Sequence, residues 1–105
     1  MMRQLSAIVM FFSVASAMSA GFDCGDASTR VEKLICADPE LERLDEQLTL
    51  LYSRTKYRAS PYGAEQLTKQ QRIWLRTRDR CRNSECVASV YRERIEHLGG
   101  SVEQR

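Results

Sequence analysis

Along most of this 105-residue chain, apolar residues recur at three- and four-residue steps, the rhythm of amphipathic helices rather than of strands. Leu41, Leu44, Leu48, Leu51 and Tyr52 make the clearest stripe and predict a helix running to about residue 57. It follows Asp38-Pro39, a pairing that suits a helix start: Asp caps the first free N–H groups, and Pro at the first position has no N–H to leave unpaired. Upstream, Thr29-x-x-Glu32 reads as a capping box opening a short helix with Val31, Leu34 and Ile35 inward and a stop near Cys36. Ala59-Ser60-Pro61-Tyr62-Gly63 has the composition of a loop. A third helix then places Leu67, Gln71, Trp74, Arg78 and Cys81 on one face, until Asn83-Ser84 interrupts it. The fourth turns Val87, Val90, Tyr91, Arg94, Ile95 and Leu98 inward and stops at Gly99-Gly100. The expected fold is all-α, a small helical bundle of about four helices, one of them short, with residues 101–105 as a flexible tail.

Residues 1–20 break this rhythm. Arg3 supplies a positive start, Leu5 through Ala15 is almost wholly apolar, and Ser16, Ala17, Ser19 and Ala20 are small, the three parts of a signal peptide. Ala15-Ser16-Ala17 fits the A-x-A cleavage pattern best, with cuts after Ser19 or Ala20 as alternatives. A retained anchor is disfavoured, because the apolar run is shorter than the ~20 residues that span a bilayer. Gly21-Phe22-Asp23 before Cys24 is not a lipid-attachment pattern. The expectation is therefore a leader over 1–20 and one domain over 21–100, located in a periplasm or secreted, with no stable membrane insertion after cleavage.

A domain of this length buries a marginal core and usually needs covalent staples. Cys24, Cys36, Cys81 and Cys86 fit that need, since an even cysteine count in a short exported chain is the mark of a disulfide framework. Cys81 and Cys86 would stand about 140° apart around an unbroken helix and roughly 8 Å or more from each other, outside disulfide reach. Their pairing requires the chain to turn, and Asn83-Ser84 supplies a turn. Local pairs, Cys24–Cys36 and Cys81–Cys86, are favoured on this ground, and crossed pairings are the alternative. Gaps of eleven and four residues between the close cysteines match no usual zinc-ligand spacing.

Other chemistry is sparse. His97, the sole histidine, falls near a helix end, where imidazole commonly caps carbonyls rather than acting as a base. No glycine-rich phosphate loop is present. These features point away from an enzyme and imply no cofactor. A net charge of +2 argues against nucleic acid as a partner, although the charge is unevenly spread. Asp23 to Glu46 holds eight acidic residues against three basic, and Arg54 to Arg82 nine basic against two acidic. The split either steers a partner or, on the favoured reading, draws the two halves together.

Several polar residues fall on inward faces, where each needs a partner. The expected arrangement pairs Asp45 with Arg78 across helices, stacks Arg78 on Trp74, and pairs Arg94 with an acid such as Glu32. Alternatively, these arginines line a binding cleft. The opposite face of the second helix carries Glu42, Glu46 and Leu50 at four-residue spacing, with Arg43 beside Glu42. An exposed leucine beside two carboxylates is a candidate contact for a basic partner.

Phe22-Asp23-Cys24, Thr29-x-x-Glu32-Lys33-x-Ile35-Cys36, Leu44-Asp45-x-x-Leu48-x-x-x-Tyr52, Gln71-Arg72-x-Trp74-Leu75-x-x-Arg78-Asp79-x-Cys81, and Cys86 with Tyr91-x-x-Arg94-Ile95 together resemble the lysozyme inhibitor LprI-like N-terminal family. The likeness covers essentially everything after the leader. It implies a small exported, disulfide-bonded helical domain that inhibits a lysozyme. Lysozymes are typically basic with carboxylates in their cleft, so an inhibitor can combine an acidic surface with a basic side chain. The stretch from Asp38 to Glu46, with Arg43, fits that description best. The other function considered is a non-inhibitory structural or chaperone-like protein that binds another envelope protein.

Overall fold

The computed structural model describes residues 21–100; the expected leader and tail lie outside the described residues. A single 3-10 turn, Cys24–Asp26, leads into four helices: α1 (Arg30–Ala37), α2 (Pro39–Arg58), α3 (Pro61–Asp79) and α4 (Ser84–His97). No strand occurs among the described residues. Each helix starts where its sequence supplies a cap. The Thr29 side chain accepts from Glu32 N–H at 3.0 Å, and Glu32 Oε1 accepts in return from Thr29 N–H at 3.0 Å. Asp38 accepts from Glu40 N–H at 2.9 Å, with Pro39 at the first helical position.

Ala59 to Gly63 is not the loop its composition suggests. Helix α3 begins at Pro61, leaving Ala59 and Ser60 as the connection. Ser60 Oγ accepts from Gly63 N–H at 3.1 Å, so Pro61, Tyr62 and Gly63 form a capped first turn. At the other end of the chain the N–H of Gly99 bonds Glu96 O and that of Gly100 bonds Ile95 O, both at 2.9 Å. This double closure turns the chain out of α4 and requires a left-handed residue, here Gly99 at φ 87°.

The core comprises Val31 and Ile35 of α1, Leu41, Leu44 and Leu48 of α2, Cys81, and Val87, Ala88, Tyr91 and Ile95 of α4. Helices α2 and α4 form its central pair, and α1 closes one side. The inward stripe of α3 is less buried than its spacing suggests: Leu67, Gln71 and Trp74 are half-covered, and Arg78 is the buried residue of that helix. The edge of Trp74 meets Tyr91 with ring centroids 5.0 Å apart.

The disulfides are the local ones. Cys24–Cys36 spans 5.8 Å between Cα atoms and ties the leading turn to α1. Cys81–Cys86 spans 5.5 Å and clasps the turn between α3 and α4. That turn exists because α3 ends at Asp79 and Asn83 caps α4, accepting from Cys86 N–H at 2.9 Å. Loop-closure entropy gives about 3 kcal/mol for the larger ring and about 2 for the smaller. For so small a core these are large contributions.

Candidate functional site

Helix α2 presents two polar surfaces of opposite character. On its inner side Asp45 is 5% exposed and Arg78, facing it from α3, is also 5% exposed. They do not form the direct pair that the sequence suggested. The Tyr91 hydroxyl stands between them, donating to Asp45 Oδ1 at 2.5 Å and accepting from Arg78 Nη1 at 3.2 Å. Tyr91 has the reach because α4 packs into the middle of the bundle, directly on α2. The direct ion-pair partner of Arg78 is its neighbour Asp79, whose Oδ1 takes both Nε at 3.0 Å and Nη2 at 2.8 Å. The other carboxylate oxygen of Asp45 accepts from the backbone N–H of Gly21.

Tyr91 and Arg78 are both shifted by their surroundings. Burial, followed by the Asp45 charge, pushes the Tyr91 phenol well above its ordinary range, so it stays a donor. For Arg78, burial works against the charge, but the oxygens of Tyr91 and Asp79 outweigh it and hold the guanidinium above its ordinary value. Its face lies 6.0 Å from the centre of the Trp74 ring, the stacking expected, and 5.9 Å from that of Phe22, a second stack that the sequence reading did not anticipate. Phe22, Asp45, Tyr52, Gln71, Trp74 and Arg78 border a cleft of about 450 Å³.

The expected Arg94–Glu32 pair does not form. Arg94, 7% exposed, donates through Nε to Gln71 Oε1 at 3.1 Å. Burial lowers its affinity for the proton, partly offset by Tyr52. The Glu32 carboxylate is occupied at the start of α1, where it takes the backbone N–H groups of Thr29 and Ser28. The Thr29 N–H is the main reason its carboxyl sits below the usual range. Glu32 Oε1 is thus committed to its own helix start, while Arg94 is engaged by Gln71. Asp45 of the acidic segment and Arg78 of the basic one are likewise linked only through the Tyr91 hydroxyl.

The outer side of α2 carries Glu42, Glu46 and Leu50. Glu46 is exposed, Glu42 is half-exposed, and Leu50 is 53% exposed. Neither carboxylate has an ion-pair or hydrogen-bond partner among the described residues. Arg43 is exposed on the same helix but pairs with Glu40 at 2.8 Å rather than with its neighbour Glu42. The i,i+3 step puts Glu40 on its side of the helix, whereas adjacent residues diverge. Glu40 also receives Arg92 of α4 at 3.4 Å. Beside Leu50, a shallow groove of about 200 Å³ is bordered by Gln47, Leu51, Arg54 and Gly100. Three further exposed apolar side chains were not singled out from the sequence: Tyr57 and Tyr62 near the α2–α3 turn, and Ile73. Ile73 borders a groove between α3 and α4 that includes Trp74, Val90 and the exposed His97. No helix of the described residues is long and apolar enough to cross a membrane.

The inner residues thus converge through Tyr91, Asp79 and Gln71, while the outer residues share a face that remains open. Comparison with protein families finds one described as Lysozyme inhibitor LprI, whose model matches residues 23–102. No curated protein and no solved structure matches the chain.

Proposed function

The chain belongs to the lysozyme inhibitor LprI family, and from that premise we propose that it is an exported binding protein that blocks a lysozyme. The observation that carries the reading is the family match across all four helices. Two disulfides in so small a domain support an oxidising compartment, a periplasm or the exterior, consistent with a leader over residues 1–20. The contact surface is the outer face of α2. Glu42 and Glu46 offer carboxylates free to meet a basic protein, Leu50 offers apolar area between them and the adjoining groove, and Arg43 supplies a basic group at the edge. Inhibition follows by occlusion: a rigid helix laid against a cleft excludes the polysaccharide, with no chemical step in the inhibitor.

A bacterial lysis assay with purified protein and several lysozymes tests this. Lysis should slow with increasing inhibitor, and reversing Glu42 and Glu46 to lysine should weaken binding by about 2–3 kcal/mol, roughly a hundredfold in Kd. No slowing at large molar excess would reject inhibition of those enzymes and favour a non-inhibitory envelope-binding role. Undiminished inhibition by the folded double variant would place the contact elsewhere.

A further inference from the structure

The N–H of Gly21 is directed at Oδ2 of Asp45, a residue that is almost fully buried. The approach is close: a Cβ on Gly21 would lie 2.5 Å from Thr49 Oγ1 and 3.2 Å from Asp45 Oδ2, so any residue with a side chain would have to displace α2 atoms. Gly21 directly follows Ser19-Ala20, one of three places where the small residues of the leader permit a cut. We propose that the Ala20–Gly21 peptide bond is the processing site, and that its hydrolysis creates a Gly21 ammonium group that forms an ion pair with buried Asp45.

The step is an ordinary amide hydrolysis by a leader-cleaving peptidase. Water adds across the bond, Ala20 departs as the carboxylate end of the leader, and the Gly21 nitrogen takes a proton. Before the cut Asp45 Oδ2 receives one neutral N–H. Afterwards the same nitrogen carries a positive charge and three donors, and charge-assisted bonds are roughly twice as strong as neutral ones. The charged groups of the surrounding cleft favour the change. Asp45 Oδ2 is the group on that nitrogen, and the cleft that Gly21 borders is also lined by Glu32 of α1, Tyr52 of α2, and Arg78 and Asp79 of α3, with the Tyr91 hydroxyl of α4 bonded to the other oxygen of Asp45. Three carboxylates against one guanidinium leave the cleft short of positive charge, and the new terminus supplies it. A cut after Ala17 or Ser19 would leave the Gly21 nitrogen an amide and forfeit this pair.

The test starts with the full chain, exported under its own leader by a bacterial host. Intact-mass spectrometry of the exported protein should show Gly21 as the first residue; a start at Met18 or Ala20 overturns the proposal. NMR titration of the Gly21 α-protons then reads the amine directly. Its midpoint in the folded protein should lie at least about one pH unit, tenfold in proton affinity, above that of the same protein in urea, where an α-amine titrates near ~8. A folded midpoint at or below the urea value also overturns it. In Asp45→Asn the midpoint should return toward the urea value; should that variant not fold, the folded-against-urea comparison of the parent protein decides alone. Because the folded value is the raised one, the pair's stabilisation is fully present below about pH 8 and fades as pH climbs through the folded midpoint.

Discussion

Asp45 and Glu46 are adjacent carboxylates on one helix, yet they occupy opposite physical situations. Asp45 faces α4, is almost fully covered, and accepts from Tyr91 and Gly21. Glu46 faces water and has no partner among the described residues. The hundred-degree step between neighbouring helical residues separates a charge that organises the bundle from one that is free to meet another molecule. Acidic residues on this helix therefore cannot be counted as one surface, and substitutions on the two sides should separate folding from binding.

The largest effect is expected at the inner side. Asp45→Ala removes the acceptor for the Tyr91 hydroxyl and the Gly21 N–H and leaves the cluster around Arg78 rearranged. Breaking one member of a buried charged network costs ~3–5 kcal/mol. In a domain this small each kcal/mol moves Tm by roughly 4–8 °C, so calorimetry should show a drop of well over ten degrees or no cooperative transition. Loss of only a degree or two would mean that Asp45 is as loosely coupled as Glu46, and the contrast between the faces would collapse.

Tyr91→Phe separates the bridge from the packing. The ring stays against Trp74 while the hydroxyl between Asp45 and Arg78 disappears. Leaving those two groups without their shared partner should cost about 1–3 kcal/mol, less than losing the carboxylate. Urea denaturation measures the difference. A cost equal to that of Asp45→Ala would indicate that nearly all of the network's worth passes through the hydroxyl.

Removing the clasp with Cys81→Ser/Cys86→Ser should cost about 2 kcal/mol through the freed unfolded chain, again read by urea denaturation. The capping box gives a smaller effect with a defined sign. The Thr29 and Ser28 N–H groups hold the Glu32 carboxyl below its unfolded value. Its contribution is therefore present above the unfolded pKa of about 4.3 and disappears as pH falls through the lower folded value. Glu32→Gln should flatten the acid limb of the stability–pH curve; an unchanged limb would assign acid sensitivity to other carboxylates.

Local signals were legible in the sequence wherever the physics is local. Thr29 with Glu32, Asp38 with Pro39, and Gly99 each perform the role their position suggests, because caps depend on neighbours within one turn. Ser60-Pro61 uses the device of Asp38-Pro39, but Tyr62 and Gly63 gave it the composition of a loop. The disulfide pairing followed from the break at Asn83. Partners across the bundle were harder to read. Periodicity showed that Asp45, Arg78 and Arg94 face inward, but not which atoms oppose them, so Tyr91, Asp79 and Gln71 went unassigned. Tyr91 carried a usable signal: a tyrosine in an apolar stripe must place its hydroxyl on something. Asp79 carried none, since neighbouring residues on a helix normally diverge. The open outer face was visible from spacing alone, because exposure there follows from what α2 does not bury.

The outer face should give the smallest change in stability and the clearest in binding. Glu42 and Glu46 are one turn apart and repel by a few tenths of a kcal/mol, and neither has a partner to lose. Glu42→Gln/Glu46→Gln should therefore leave Tm unchanged or slightly raised, within about 0.5 kcal/mol. Its lysozyme association rate should fall and become less sensitive to salt, because exposed interface charges act mainly by steering encounter. Leu50→Ala, which removes apolar contact rather than charge, should instead raise the dissociation rate. Surface plasmon resonance at two ionic strengths separates these signatures. Should both variants bind as the parent does, α2 would hold the protein together on its inner side and present nothing to a lysozyme on its outer one.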